Sequence, residues 1–71
     1  MTVHEALIKI VDNENEKSLS WAVNYAIAGI CMPDSEALRV QVIYVLNNIS
    51  HWRGEVAKEV RATLKKYAGV K

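Results

Sequence analysis

The sequence contains few of the residues that cross-link small proteins or bind metals. Cys31 is the only cysteine, so the chain cannot form an internal disulfide. The only other soft metal ligands are His4 and His51, which are too few for a structural zinc site. We therefore expect no metal and no cofactor.

Long apolar runs are also missing. The longest mostly apolar stretch, residues 19–32, contains Ser20, Asn24 and Gly29 and is shorter than the roughly 20 residues that cross a bilayer. The N-terminal residues MTVHEALIKI have no basic segment ahead of an apolar one, so we expect no signal peptide. A single unpaired cysteine suits a reducing compartment. We expect a cytoplasmic protein without a membrane role.

The chain is short but rich in core-forming residues. Its 71 residues are enough for one domain, residues 1–71, and an apolar share of 51% excludes a disordered chain. Single-core domains below about 70–80 residues usually need a disulfide, a metal or a partner. Because the first two are not expected here, self-association or a partner protein is the favoured source of extra stability.

The charges are divided unequally between the two halves. Residues 1–36 hold six acids and two bases, and residues 37–71 hold two acids and seven bases, although the whole chain has a net charge of +1. Such a division either complements itself within the fold or an oligomer, or presents a basic face to an acidic partner.

The first half of the sequence predicts two helices. Thr2 and Glu5 match a capping box at the start of a helix of about ten residues. Ser18 is the predicted cap of a second helix that runs to about Met32, where Pro33 ends it. This second helix is apolar on most of its circumference, so it is either central in the core or shared with another chain. Its two stripes are Leu19, Val23, Ala26 and Ile30, and Trp21, Tyr25, Ala28 and Met32.

The second half predicts two more helices. Asp34 or Ser35 caps the third, and its β-branched residues 40–45 continue the helical period of their flanks rather than forming a strand. Ser50 is the predicted cap of the fourth helix, Gly54 lies in its first turn, and Gly69 is its C-cap, with residues 70–71 frayed. The predicted inner faces are Leu38, Val42, Val45 and Ile49, and then Trp52, Val56, Val60, Leu64 and Tyr67. The sequence therefore predicts an all-α fold, either a compact four-helix bundle or an orthogonal helical array.

No residue set resembles a catalytic site. Cys31 with His4 or His51 is a formal nucleophile and base, but Cys31 lies at the apolar end of a helix, where a buried and inert thiol is expected. Gly29, Gly54 and Gly69 stand alone and make no phosphate-binding loop. We expect that the protein is not an enzyme.

Nucleic-acid binding is an alternative function. The third helix has too few polar and basic residues for the reading helix of a helix-turn-helix. The fourth carries more charge, but a solvated outer face explains it as well, because a committed DNA binder makes about six to ten phosphate contacts. The residues of this alternative are Arg53, Lys58, Arg61, Lys65 and Lys66.

The C-terminal half has a recognisable short feature, Trp52-Arg53-Gly54-Glu55, preceded by residues 38–48 and followed by a charged helix. This half resembles small proteins of unknown function that bacteriophages and prophages encode. The resemblance implies a cytoplasmic phage accessory protein that binds a host or phage protein. It brings no functional residues with it, because the shared segment has no known chemistry.

The function predicted from these patterns is a non-catalytic protein-interaction module. We expect a homodimer, or a complex with another protein, formed through a helical face. Trp52 beside Arg53 suits either a buried anchor or an interface hot spot. The predicted partner-binding residues are Trp21, Tyr25, Met32, Trp52 and Arg53.

Overall fold

Four α-helices build the part of the chain that the computed structural model describes, residues 1–69. They are α1 (Val3–Asp12), α2 (Ala22–Ile30), α3 (Glu36–Asn47) and α4 (Glu55–Ala68). Each helix packs against the next in the chain, and α1 also packs against α4. This ring of contacts is that of a small four-helix bundle, which confirms the predicted all-α fold. The predicted fraying of Val70 and Lys71 lies outside the described residues.

Local capping signals were the most reliable features of the sequence. The Thr2 hydroxyl accepts from the Glu5 amide at 3.1 Å, and the Glu5 carboxylate accepts from the Thr2 amide at 2.8 Å. This second bond holds the pKa of Glu5 below its ordinary value. Ser35 caps α3 by accepting from the Leu38 amide, and Gly69 ends α4 in the left-handed region with φ 75°. These three predictions are confirmed.

The start of α2 differs from the prediction. Ser18 does not cap a helix but lies in a 3-10 turn, Lys17–Leu19, and α2 begins only at Ala22. The amides of Leu19 and Ser20 donate to the carbonyls of Glu16 and Lys17 at 3.0 and 3.3 Å. This tight turn coincides with the complete burial of Leu19. Packing of one leucine, rather than the nearest capping residue, accounts for the later helix start.

The innermost face of α2 is made of small residues. Ala22, Ala26 and Gly29 are buried, whereas Val23 and Ile30 of the predicted inner stripe are only partly buried. A Cβ atom at Gly29 would lie 2.9 Å from Cδ1 of Leu7. Small residues at this face therefore let α2 lie close to its neighbours, and its larger side chains remain on the two flanks.

The start of α4 also differs from the prediction. Residues 50–54 form a turn instead of helix, and Gly54 is the N-cap with φ 112° rather than a first-turn residue. The Trp52 amide donates to the Ile49 carbonyl, and the Arg61 guanidinium donates to the carbonyls of both Ile49 and Trp52. An arginine nine residues further along thus holds the turn that the local sequence did not predict.

The core collects residues from every helix. The predicted inner face of α3 is confirmed, since Leu38, Val42, Val45 and Ile49 are fully buried. In α4 the prediction is correct for Val60 and Leu64 but wrong for Val56, which is exposed. Ala57 and Ala68 complete the buried face of α4 instead. The predicted face was counted from Trp52 as if that residue were part of the helix. Because the helix starts later, its buried face has a different register.

Polar side chains tie the helix ends together. Nε2 of His4 lies 2.8 Å from the Met32 carbonyl oxygen, which joins the start of α1 to the turn after α2. Arg39 at the start of α3 donates to the Ala68 carbonyl at the end of α4 and pairs with Glu36. A cation at a helix C-terminus satisfies a carbonyl that has no partner within its own helix.

Candidate interaction surface

Trp21 is the most exposed large apolar side chain of the described residues. Its side chain is 73% exposed, and Tyr25, one turn further along α2, is 40% exposed. Tryptophan is highly buried on average in folded proteins, so a tryptophan in this setting is unusual. Met32, the third predicted residue from this helix region, is half-buried and packs against the core.

Tyr25 meets an aromatic residue of α3. Its ring stacks on that of Tyr44, with centroids 6.1 Å apart and planes inclined by 28°. The Gln41 side chain donates to the Tyr25 carbonyl at 2.9 Å and holds the two helices together beside the stacked rings. Val40, one turn before Tyr44, is 41% exposed. We call Trp21, Tyr25, Val40 and Tyr44 the aromatic face.

The sequence pointed to the α2 half of this face but not to the α3 half. Tyr44 is 51% exposed, but in the sequence it lies within a β-branched run that by itself gives no sign of a surface role. Its spacing of four residues from Val40, on the side away from Leu38 and Val42, was the available signal. The signal was ambiguous because spacing alone does not say which flank of α3 meets α2.

Tyr25 lies in an uncharged helix, and the nearest cation before Trp21 in the sequence is Lys17. Residues 22–30 of α2 contain no charged side chain. On α3 the nearest cation in sequence, Arg39, is engaged with Glu36 and with the Ala68 carbonyl. Depletion of charge with enrichment of aromatic residues is the composition typical of an interface core.

The exposed area of the three aromatic side chains is comparable to the largest apolar patch on a typical monomer. With about 150–250 Å² for each aromatic side chain, Trp21, Tyr25 and Tyr44 leave roughly 350 Å² in contact with water. Contiguous apolar patches of about 300–600 Å² on monomers are often functional. A stable interface takes about 800 Å² from each partner, so the aromatic face supplies the centre of such an interface and not all of it.

The Trp52-Arg53 pair is divided between the core and the surface. Trp52 is only 4% exposed and belongs to the core, so we withdraw it from the residues that contact a partner. Its carbonyl is fixed by Arg61, which makes the turn a structural element. Arg53 is exposed on this turn and remains a candidate for partner contact.

The predicted basic residues do not form one patch. Lys58, Arg61 and Lys65 share one flank of α4 at spacings of three and four residues, and Arg61 and Lys65 line a groove against α3. Lys66 instead lines a different groove, together with Met1 and Val3. The fourth helix therefore presents three cations on one side and a separate lysine on another.

Cys31 lies on the surface, which corrects the expectation of a buried thiol. The helix ends at Ile30, and Cys31 in the following turn points away from the buried Ala22, Ala26 and Gly29 face. Of the two histidines, His4 is engaged with the Met32 carbonyl, and His51 is exposed. Neither arrangement brings Cys31 into a hydrogen bond with a histidine within residues 1–69.

Residues 1–69 contain no group of metal ligands and no helix suited to crossing a bilayer. No three or more His, Cys, Asp or Glu side chains in this part of the chain are grouped closely enough to hold a metal ion. None of its helices combines the length and the apolar character that a bilayer-spanning segment requires.

Comparisons of the chain with protein-family models, with curated proteins and with solved structures gave no match.

Proposed function

We propose that this protein is a non-catalytic interaction module that binds a second copy of itself or a partner protein through the aromatic face. One observation carries the proposal: Trp21 is 73% exposed and lies four residues before Tyr25, whose ring stacks on that of Tyr44. Burying such a face removes apolar area from water without stranding a charge. The size of the domain adds support, because small single-core domains gain stability from association.

The biological setting that we propose is supported by the resemblance that the sequence of the C-terminal half suggests to phage and prophage proteins. We include in the proposal a cytoplasmic accessory protein of a bacteriophage or prophage that binds a host or phage protein. The single cysteine, which suits a reducing compartment, supports the location.

Trp21 is the residue from which we expect the largest contribution to binding. Tryptophan, tyrosine and arginine dominate interface hot spots, and truncation of a hot spot costs about 2 kcal/mol or more. That cost corresponds to roughly 30-fold weaker binding. Arg53 lies on the turn before α4, and we assign it a peripheral part, since charges at the rim of an interface change affinity little.

A pair of lysine substitutions on one helix tests the proposal. Trp21→Lys places a charge in the aromatic face, whereas Ile27→Lys places one at another exposed apolar position of α2, which is 48% exposed. Ile27 lies about 200° around the helix from Tyr25, on the opposite flank. Circular dichroism of both variants should show an intact helical fold, because both positions are exposed.

Sedimentation equilibrium and affinity capture from the native host provide the readouts. We expect self-association, captured partners, or both to be lost in Trp21→Lys and kept in Ile27→Lys. If the wild-type protein is a monomer at all accessible concentrations and captures the same proteins as Trp21→Lys, the proposal is wrong.

The nucleic-acid alternative has less support from the geometry. Lys66 lines a different groove from Arg61 and Lys65, so the predicted basic residues do not form one patch. A gel-shift assay at low salt tests it, since electrostatic binding is strongest there. A saturable shift that disappears as the salt concentration rises would favour this alternative over a protein partner.

A further inference from the structure

A groove between α3 and α4 combines an apolar floor with a basic wall. It has a volume of about 380 Å³ and is lined by Ile43, Leu46, Asn47, Ser50, Arg61 and Lys65. Ile43 and Leu46 are partly buried, so each still offers apolar surface to an occupant. Asn47 and Ser50 are exposed and add polar groups at the edge of the groove. This groove is separate from the aromatic face, because it lies on the flank of α3 that meets α4 rather than α2.

Arg61 and Lys65 line the groove, and Lys58 lies outside its lining on the same flank of α4. Lys58, Arg61 and Lys65 follow each other at spacings of three and four residues, which places them in a row on one flank of α4. Lys58 and Lys65 are exposed. None of the six lining residues is acidic, so the local potential along this wall is positive.

Arg61 is held in place before any ligand arrives. Its Nη1 donates to the carbonyls of Trp52 and Ile49 on the turn before α4. A guanidinium has five N–H donors in a rigid fork, and both of these bonds use the same nitrogen. The loss of side-chain freedom on binding an anion is therefore smaller for Arg61 than for a mobile lysine.

We propose that this groove is a docking site for an acidic amphipathic segment of a partner protein. Branched apolar side chains of the segment pack on Ile43 and Leu46, and its carboxylates lie against Lys58, Arg61 and Lys65. Charge complementarity selects the acidic partner, and the apolar floor selects one that carries apolar side chains beside its carboxylates.

Two other occupants fit the groove less well. A nucleic acid offers phosphates, but the row has three cations where a committed binder uses about six to ten contacts, and the lining has no aromatic ring on which a base stacks. The acidic loop of a second copy, residues 12–17, supplies carboxylates but contains no apolar residue. Neither of these occupants would contact both the apolar floor and the basic wall of the groove.

Adjacent lysines provide a matched pair of variants. Lys65 lines this groove, and Lys66 lines the other groove beside Met1. Lys65→Glu and Lys66→Glu make the same change of charge in the last turn of the same helix, so both have the same effect on net charge and a similar one on the helix dipole. A difference in peptide binding between the two variants is therefore due to the position of the changed charge and not to the net charge.

The probe is a short synthetic helical peptide with leucine on one face and glutamate on the other. Its binding to the ¹⁵N-labelled full chain is followed by amide chemical shifts at physiological salt. Two matched peptides replace glutamate by glutamine or leucine by serine. We expect shifts concentrated at Ile43, Leu46, Asn47, Ser50 and Lys65, and weaker binding for both matched peptides.

The variants give the quantitative test. Lys65→Glu should weaken peptide binding by about fivefold or more, since one exposed charge pair is worth up to about 1 kcal/mol and reversal makes it repulsive. Lys66→Glu should change it less than about twofold, because Lys66 lines the other groove and salt weakens the effect of exposed charges that do not contact the peptide. The proposal is overturned by equal effects of the two variants or by the absence of groove shifts at millimolar peptide. Tighter saturable binding of a single-stranded thymidine oligonucleotide at the same residues would also overturn it.

Discussion

Replacing Gly54 by alanine tests how α4 begins. Gly54 has φ 112° and ψ 174°, a region of backbone conformation that is essentially restricted to glycine. A Cβ atom added there would have no neighbour within 4 Å, so the substitution creates no clash. Its whole effect therefore comes from backbone strain, and we expect Gly54→Ala to lower the free energy of unfolding by about 1–3 kcal/mol.

The sign of this effect distinguishes two accounts of the same glycine. If Gly54 lay in the first turn of a helix, as the sequence suggested, alanine would stabilise the protein by about 0.5–1 kcal/mol. The positive φ reverses the expectation. A measurement with an error below 0.5 kcal/mol separates the two.

Urea denaturation followed by circular dichroism is the assay. The denaturation midpoint should fall while the slope stays constant, because the surface exposed on unfolding does not change. For a domain of this size, each kcal/mol lowers the Tm by about 4–8 °C. D-alanine at position 54, introduced by chemical synthesis, should unfold close to the wild-type midpoint, since it favours positive φ. An L-alanine variant as stable as the wild type would refute the reasoning.

Three further predictions concern the core, the first helix and the cysteine. Leu64→Ala removes a fully buried side chain and should cost about 2–5 kcal/mol in urea denaturation; a cost below 1 kcal/mol would contradict its place in the core. The Thr2 amide lowers the pKa of Glu5 in the folded state, so the stability from this bond is present above about pH 4.3 and is lost as the pH falls through the lowered pKa. The Tm of Glu5→Gln should therefore depend less on pH in the acid range than the Tm of the matched variant Glu14→Gln. Identical pH profiles of the two variants would count against the capping bond. The exposed Cys31 should react with a thiol reagent in the native protein about as fast as in urea, whereas strong protection would mean that it is buried.

The sequence was sufficient where a structural feature depends on neighbouring residues. The capping box of Thr2 and Glu5 lies within four residues, and the same is true of Ser35 at the start of α3. The period of Leu38, Val42 and Val45 likewise predicted the buried face of α3, despite its β-branched composition. These features are decided by contacts within one helix or at its ends.

The sequence was insufficient where distant contacts decide the structure. The start of α2 depends on how Leu19 enters the core, and the turn before α4 depends on Arg61. Ser18 and Ser50 both had the local chemistry of a helix cap, but tertiary contacts determined where the helices begin. Short helices are marginal alone, so packing readily overrides such local preferences.

The aromatic face also depends partly on local sequence and partly on distant contacts. The excess of apolar residues on α2 indicated a helix either central in the core or shared with another chain, and the exposure of Trp21 and Tyr25 favours the second. The stacking of Tyr25 on Tyr44 required knowledge of which flank of α3 meets α2. Tryptophan is a residue type common in interface hot spots, but the turn held by Arg61 places the ring of Trp52 in the core.

The ¹⁹F NMR spectrum of the protein with 5-fluorotryptophan at both tryptophan positions tests the interaction surface most directly. Trp21 is 73% exposed and Trp52 is 4% exposed, so one signal reports the aromatic face and the other the core. At rising protein concentration, or in an extract of the native host, we expect the chemical shift of Trp21 to change while that of Trp52 stays constant. A Trp21 signal that keeps its solvent-exposed shift under both conditions would contradict the account.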